Sequence, residues 1–446
     1  MEDIIKGIFV FGVGVSGKGV IKYCIENKIP VFVSDDNIKN TVSITSDAVV
    51  VRDVKNFDYS QISFCVISPG VPLNTDFPLY LRSIGVKMIS DLELYKMVNK
   101  NVFIIGITGS NGKSTTASLL AFILKNLGVK AFLAGNIGIS PFDESSKGME
   151  VAVFEVSSYQ LETTDFIFDV GLLLNITADH LERHGGMQGY ALIKSKILKN
   201  SKFGVLGFDT SESAKLKEVS PDITLFSCQE FLKTGYSLLK GKLYKNGVLL
   251  KNNIKFENLR GEHNACNILA CIIIAMEKFG FSLDDILREV ATFKGLEHRI
   301  EFVREIDGVT FVNDSKATNA DSCLTAIKTF QGKKVFLIAG GKAKEEGIET
   351  ILNAPDFMKC VKEIFLIGEA SGIFANRIIR HNKDFPSKVY KFTICGTLEK
   401  ATKISFASAK KQSKSVVLLS PLCASFDQFK NFEERGQVFK KIVATL

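Results

Sequence analysis

The sequence predicts an α/β fold in three domains, and three observations lead there. Apolar strand-like runs alternate with helical stretches along the whole chain, which is the pattern of parallel sheets with crossover helices. Two of those runs end in glycine-rich turns that open a helix: FVFGVGVSGKGV (Phe9–Val20) and GITGSNGKSTT (Gly106–Thr116). At 446 residues the chain is also too long for one ordinary domain. The blocks fall at 1–93, 94–297 and 298–446.

In the first block Ile8–Val13, Val31–Val33, Phe64–Ile67 and Val86–Ile89 read as strands. The second opens on the strand Val102–Thr108, and Val151–Glu155 and Val170–Asn175 read as buried central strands because both alternating faces are apolar. Asn246-Gly247, between two short strand-like runs in KLYKNGVLLKNN, predicts a hairpin. GEHNACNILACIIIAMEKFG reads as a helix capped by Gly280. The third block has strands at Val309–Asn313, Val335–Ala339, Ile364–Ile367 and Val416–Leu419, and a closing helix after Phe429. Neither an internal repeat nor a low-complexity segment is present in the sequence.

With 46% hydrophobic and 23% charged residues the composition is that of a globular protein. The net charge of +8 is spread along the chain, which suits a nucleic-acid binder or an enzyme of polyanionic small substrates and does not choose between them. The nine cysteines are odd in number and form no CxxC pair. They therefore predict neither a disulfide framework nor a zinc site, but small buried apolar residues in a reducing compartment. MEDIIKGIFVFGVGVSG carries acids where a signal peptide wants basic residues, and no apolar run reaches the roughly 20 residues a membrane span needs. The expectation is a cytoplasmic monomer with no membrane or nucleic-acid partner.

Gly12, Gly14 and Gly17 follow a strand and open a helix, with Asp35 ending the next strand, as in a dinucleotide fingerprint. Such a loop holds any diphosphate, so it indicates a nucleotide more firmly than it indicates NAD. In GITGSNGKSTT the first glycine comes one place early, at Gly106, and Ile107 stands where the strict phosphate-loop pattern wants it. The setting is nonetheless that of a phosphate loop. Backbone N–H groups of Gly109, Ser110, Asn111 and Gly112 can cradle phosphates, Lys113 can neutralise them, and Ser114 can reach magnesium.

Glu155 ends a buried strand beside that loop, and Asp179 and His180 follow the strand run GLLLNIT at the same sheet edge, where magnesium ligands belong. Lys194 and Lys196, in YALIKSKILK, read from the residues alone as a solvated helix face. Asn264 and Asn267 share a helix face that suits a base edge. His298 with Arg299, Asp314 to Lys316, and Ser425 to Phe432 are further polar strand ends and turns. On residues alone two other readings stay open: an NAD-dependent dehydrogenase on the first glycine loop, and a nucleic-acid-dependent ATPase on Lys113 and the basic charge.

Taken together, GITGSNGKSTT, GNIG, EVSSYQLE, NITADHLERH, HNACN, HRIEFV, VNDSKATN and SPLCASFDQFKNFEERG occur in the order seen in Mur ligases, and the sequence resembles that family from its first block to its last residues. VNDSKATN and SPLCASFDQFKNFEERG resemble the branch that adds D-glutamate. The resemblance implies an ATP-dependent amide ligase with a Rossmann-like N-terminal domain, a central P-loop ATPase domain with a mostly parallel sheet, and a C-terminal domain of dinucleotide-binding type. Its substrates would be UDP-N-acetylmuramoyl-L-alanine and D-glutamate. A member with another amino-acid specificity is the nearer alternative.

By the same resemblance Gly14, Val15, Ser16, Gly17, Asp35 and Asn136 lie at the UDP substrate. Gly109 to Thr115, Asn264, Asn267, Arg299, Asp314 and Lys316 lie at ATP, with Lys316 also near D-glutamate beside Thr318, Lys344, Ser425 and Phe432. Catalysis would rest on Lys113, Glu155, His180 and Lys194. Two magnesium ions would be held by Ser114, Glu155, His180 and Lys194, the last carbamylated and bridging one ion. Lys342 departs from the family, which often has an acid there.

Overall fold

The computed structural model describes residues 6–37, 47–179, 181–220, 222–256, 259, 262–342 and 348–446. The expected sites at His180 and Lys344 lie outside the described residues. The chain forms two compact units, Met1–Phe293 and Lys294–Leu446.

The first unit carries two sheets. β1 (Ile8–Phe11), β2 (Val31–Ser34), β3 (Val49–Val50), β4 (Phe64–Ile67) and β5 (Met88–Ile89) pair all in parallel in the order β3-β2-β1-β4-β5. The order reverses beside β1, which places the turn at Gly12 where open α/β sheets keep their ligands.

The second sheet comprises β6 (Phe103–Thr108), β7 (Ala131–Gly135), β8 (Val151–Glu155), β9 (Val170–Leu173), β10 (Gly204–Gly207), β11 (Ile223–Ser227), β12 (Tyr236–Leu239), β13 (Lys242–Lys245) and β14 (Val248–Lys251). Its order is β14-β13-β12-β11-β10-β9-β6-β8-β7. Every pair from β7 across to β12 is parallel, and only the β12-β13-β14 meander runs antiparallel. β8 and β9 are buried along their whole length, as their apolar runs predict. Asn246 (φ 50°) and Gly247 (φ 80°) are both left-handed, so the β13–β14 turn twists with its strands.

In the second unit β15 (Glu301–Ile306), β16 (Val309–Asn313), β17 (Lys334–Gly340), β18 (Val361–Ile367), β19 (Lys391–Gly396) and β20 (Ser415–Leu422) take the order β15-β16-β20-β17-β18-β19. All pairs are parallel except β15–β16. The closing helix, Phe432–Ala444, starts on Asn431, whose side chain accepts from Glu434 N at 2.8 Å.

That helix buries a guanidinium. Arg435 is 0% exposed and donates to Ser315 Oγ (3.0 Å), Ser315 O (2.8 Å) and Cys423 O (3.0 Å). It thereby ties the turn after β16 and the turn after β20 to the helix. An Arg435→Ala variant strands two buried carbonyls and a cavity, so it should destabilise this unit by about 3 kcal/mol or more. Thermal unfolding of the full chain checks it; an unshifted transition would refute the tie.

Candidate functional site

The phosphate loop joins β6 to the helix Lys113–Asn126. Gly112, its N-cap, has φ 85° and ψ −12°, a left-handed conformation that glycine adopts without strain. A Cβ at Gly112 would meet Asn267 Oδ1 at 2.3 Å, so the glycine is also required by a close approach of the helix Glu262–Phe279. On that helix Asn267 Nδ2 donates to Asn264 Oδ1 at 3.2 Å, and both asparagines are buried.

The segment after β9 holds the loop. Ser110 N donates to Asn175 O (3.0 Å) and Asn111 N to Asn175 Oδ1 (2.9 Å), while Asn175 Nδ2 returns a bond to Asn111 O (3.1 Å). Ser110 Oγ donates to Thr177 O and accepts from Thr177 N, both at 2.9 Å. Two of the N–H groups expected to cradle phosphate are therefore turned onto this neighbouring segment. The start of the helix at Lys113 still presents the positive end of its dipole. Asn175 and Thr177, which do this holding, were not singled out by sequence; their signal is that LNIT directly follows β9, the strand that pairs with β6.

Both candidate lysines converge on one carbonyl. Lys113 Nζ donates to Gly109 O at 2.7 Å and to Ser110 O at 2.9 Å. Lys194 Nζ donates to the same Gly109 O at 2.9 Å and to Thr108 Oγ1 at 3.2 Å. Lys194 is 1% exposed, which corrects the solvated-face reading of its helix. On the helix Met187–Lys199 it falls within the buried stripe of Tyr190, Ala191, Ile197 and Leu198, whereas Lys196 reaches out to Asp165 at 2.8 Å. Burial first, and then the neighbouring Lys113 charge, push the Lys194 amine well below its usual range.

Glu155, at the end of β8, is 2% exposed. Its Oε1 accepts from Asn136 Nδ2 at 2.8 Å, and its Oε2 is buried with no hydrogen-bond partner among the described residues. An orphaned carboxylate oxygen beside two amines and a phosphate loop fits a hard cation such as magnesium. Ser114, in the first turn of the loop helix, is buried alongside.

In the first sheet Gly14 caps the helix Val15–Glu26 without a side-chain bond. A Cβ at Gly14 would meet nothing within 4 Å, whereas one at Gly17 would strike Gly12 O at 2.1 Å. The backbone of Gly14, Val15 and Ser16 is thus open to an approaching anion, while Gly17 lets the helix pack on the turn. Asp35 Oδ2 accepts from Val13 N at 2.6 Å and Oδ1 from Asn37 N at 2.8 Å, so this acid braces the glycine turn itself.

In the second unit Asp314 is buried at the end of β16, accepting from Ser420 Oγ (2.8 Å) and Ile300 N (3.2 Å). Burial pushes its carboxyl up to about 7, against the pull of those two donors and the Arg299 charge. Lys316 Nζ lies 5.0 Å from the Phe432 ring centroid, and Ser315 Oγ donates to Phe432 O at 2.8 Å. Thr318 lies two residues past Lys316 in the same turn, and Ser425 is 2% exposed in the turn after β20. Arg299, Asp314, Lys316, Thr318, Ser425 and Phe432 all come from the turns at the C-terminal ends of β16 and β20 or from the segments beside them. Lys342 pairs with Glu369 at 2.9 Å.

A family model for the Mur ligase middle domain matches residues 107–275, and one for the Mur ligase glutamate ligase domain matches residues 298–423. The chain belongs to the Mur ligase family. Curated relatives of this Mur ligase extend over nearly its full length. One, from Thermoanaerobacter pseudethanolicus, is 37% identical over 99% of this chain and 98% of its own. Another, from Rhizobium johnstonii, is 36% identical over 99% and 95% respectively. Both are named UDP-N-acetylmuramoylalanine–D-glutamate ligase. Among solved structures, a MurF ligase of Thermotoga maritima in complex with ADP has a TM-score of 0.61 at 19% identity, covering 100% of this chain and 97% of that one. A UDP-N-acetylmuramate–alanine ligase of the same organism has a TM-score of 0.60 at 18% identity over 98% and 99%. These two share the Mur ligase fold. Among the described residues, no helix is long and apolar enough to cross a membrane.

Proposed function

We infer that this Mur ligase joins D-glutamate to UDP-N-acetylmuramoyl-L-alanine at the expense of ATP, forming a peptidoglycan precursor. The observation that carries the reading is the pair of amines, Lys113 and Lys194, meeting on Gly109 O beside the orphaned oxygen of Glu155. Such a place gathers phosphate, cation and carboxylate. The names of the curated relatives support the amino acid. The domains proposed are 1–93 for the UDP substrate, 94–297 for ATP and ligation, and 298–446 for D-glutamate.

The substrate carboxylate must attack the terminal phosphorus of ATP, breaking its bond to the β-phosphate oxygen and releasing ADP, and both reactants are anions. Lys113 and the helix N-terminus offset that repulsion and the charge that spreads over the transferring group. The acyl phosphate formed is then attacked by the amine of D-glutamate, and phosphate leaves. Ser114, Glu155 and, by family resemblance, His180 would hold magnesium, which would supply neutralising charge to the phosphates. The depressed amine of Lys194 favours its neutral form, which is the form that adds carbon dioxide. The carbamate gives an anion suited to a second magnesium ion. Asn264 and Asn267 serve the adenine, and Arg299, Asp314 and Lys316 serve the phosphate and ribose. Thr318, Ser425 and Phe432, with Lys316 and Lys344, serve D-glutamate. Gly14 to Gly17 take the UDP diphosphate on the open helix start, with Asp35 bracing the turn and Asn136 at the substrate. The protein works as a monomer, in the cytoplasm.

Phosphate release measured with ATP and UDP-N-acetylmuramoyl-L-alanine across a panel of amino acids tests the reading. Only D-glutamate is expected to give appreciable turnover. Equal or better turnover with L-alanine or meso-diaminopimelate would overturn the specificity, and NAD reduction without phosphate release would overturn the reaction class.

A further inference from the structure

Apart from the candidate ligase site, one cluster among the described residues of the first unit gathers metal-binding atoms. Asp209 follows β10, Cys228 follows β11, and Cys266 sits in the first turns of the helix Glu262–Phe279. One carboxylate oxygen and the two sulfurs all lie within 4.8 Å of one another, and all three residues are half-buried. Their separations in sequence, 19 residues from Asp209 to Cys228 and 57 from Asp209 to Cys266, explain why no CxxC-type spacing announced them.

The carboxylate is held in place by its neighbours. Ser227 Oγ donates to Asp209 Oδ1, Cys228 N reaches Oδ2 at 3.0 Å, and Gln229 N reaches Oδ1 at 3.4 Å. The donor atom is thus fixed, and Cys266 Sγ already approaches Oδ2 at 3.2 Å.

We propose that Asp209, Cys228 and Cys266 form a binding site for a thiophilic divalent cation, zinc in the first place. Two thiolates select against magnesium and calcium. A tetrahedral zinc ion, with ligand distances of about 2.0–2.3 Å, sets its donors roughly 3.3–3.8 Å apart. The present cluster therefore needs to contract by about 1.5 Å at most. Three protein ligands leave a fourth position for water. Each thiol releases its proton to solvent as the ion takes its place. The bound ion would clamp the start of the Asn264–Asn267 helix to the ends of β10 and β11.

Cobalt(II) tests this on the full chain, reduced and stripped of metal. Equimolar cobalt should raise a thiolate-to-cobalt charge-transfer band that zinc then abolishes by displacement. The Cys228→Ser/Cys266→Ser double variant should bind without that band, its thermal unfolding in chelator matching the parent. The charge-transfer band requires sulfur ligands, so cobalt at a site of oxygen and nitrogen ligands does not produce it. Absence of the band in the parent protein overturns the proposal whatever the variant does. Its persistence in the double variant, or loss of two titratable thiols to a disulfide in place of metal binding, overturns it as well.

Discussion

A Lys113→Ala variant should fold normally and lose about 10²- to 10³-fold in kcat for phosphate release, the order expected when one preorganised charge is removed from a transition state. Lys113 donates to two carbonyls of its own loop, Gly109 and Ser110. It is therefore aimed along the loop before any nucleotide arrives. Arginine should not substitute, because a planar fork cannot take the place of a compact ammonium between those carbonyls. Single-turnover kinetics at saturating ATP checks the assignment. A kcat within a few-fold of the parent would show that Lys113 contributes uniform binding or none.

The second large effect concerns Lys194. Lys194→Ala removes the side chain that would carry the carbamate, and the rate should fall about 10²-fold or more. Formate or acetate at high concentration should restore part of it by supplying the missing anion in the space left behind. Depleting carbon dioxide should slow the parent enzyme and leave the variant unchanged. A purely structural lysine would show lower stability with no rescue by carboxylic acids, and an unchanged rate would remove Lys194 from the site.

Sequence spacing made much of this architecture readable, because parallel strands buried on both faces are written as unbroken apolar runs. β8 and β9 were legible for that reason, and the β13–β14 turn was legible because Asn-Gly is chemistry specific to it. β15, EFVREI, was missed: it is an edge strand of alternating burial with two acids and an arginine, so its composition suggests a loop. β10, GVLG, was missed because it is short and begins and ends in glycine.

The candidate site divides in a similar way. Glu155 and Lys113 announce themselves at strand and helix ends. Lys194 and Arg435 do not, because a charge on a helix is ordinarily solvated. Their helices do carry a signal. Lys194 lies in the stripe 190, 191, 194, 197, 198, and Arg435 begins the stripe 435, 439, 443, so each occupies a position where the apolar period calls for a hydrophobic residue. A basic residue found inside an apolar stripe has been kept there by partners the linear sequence cannot display. The Asp209–Cys228–Cys266 cluster shows the limit of such reading, since only the folded sheet brings its members together.

The contact of Gly112 with Asn267 links two things that the motifs present as separate. One residue caps the loop proposed for the triphosphate, and the other belongs to the helix proposed for the base. A Cβ at 112 would overlap the Asn267 side chain. The span between the two proposed ends of the nucleotide is therefore fixed by how closely these two helices pack, through this approach and through the bond from Cys271 Sγ to Thr116 O (3.4 Å). Neither position is free to vary alone: a longer side chain at either end moves the other, and with it the nucleotide length that fits.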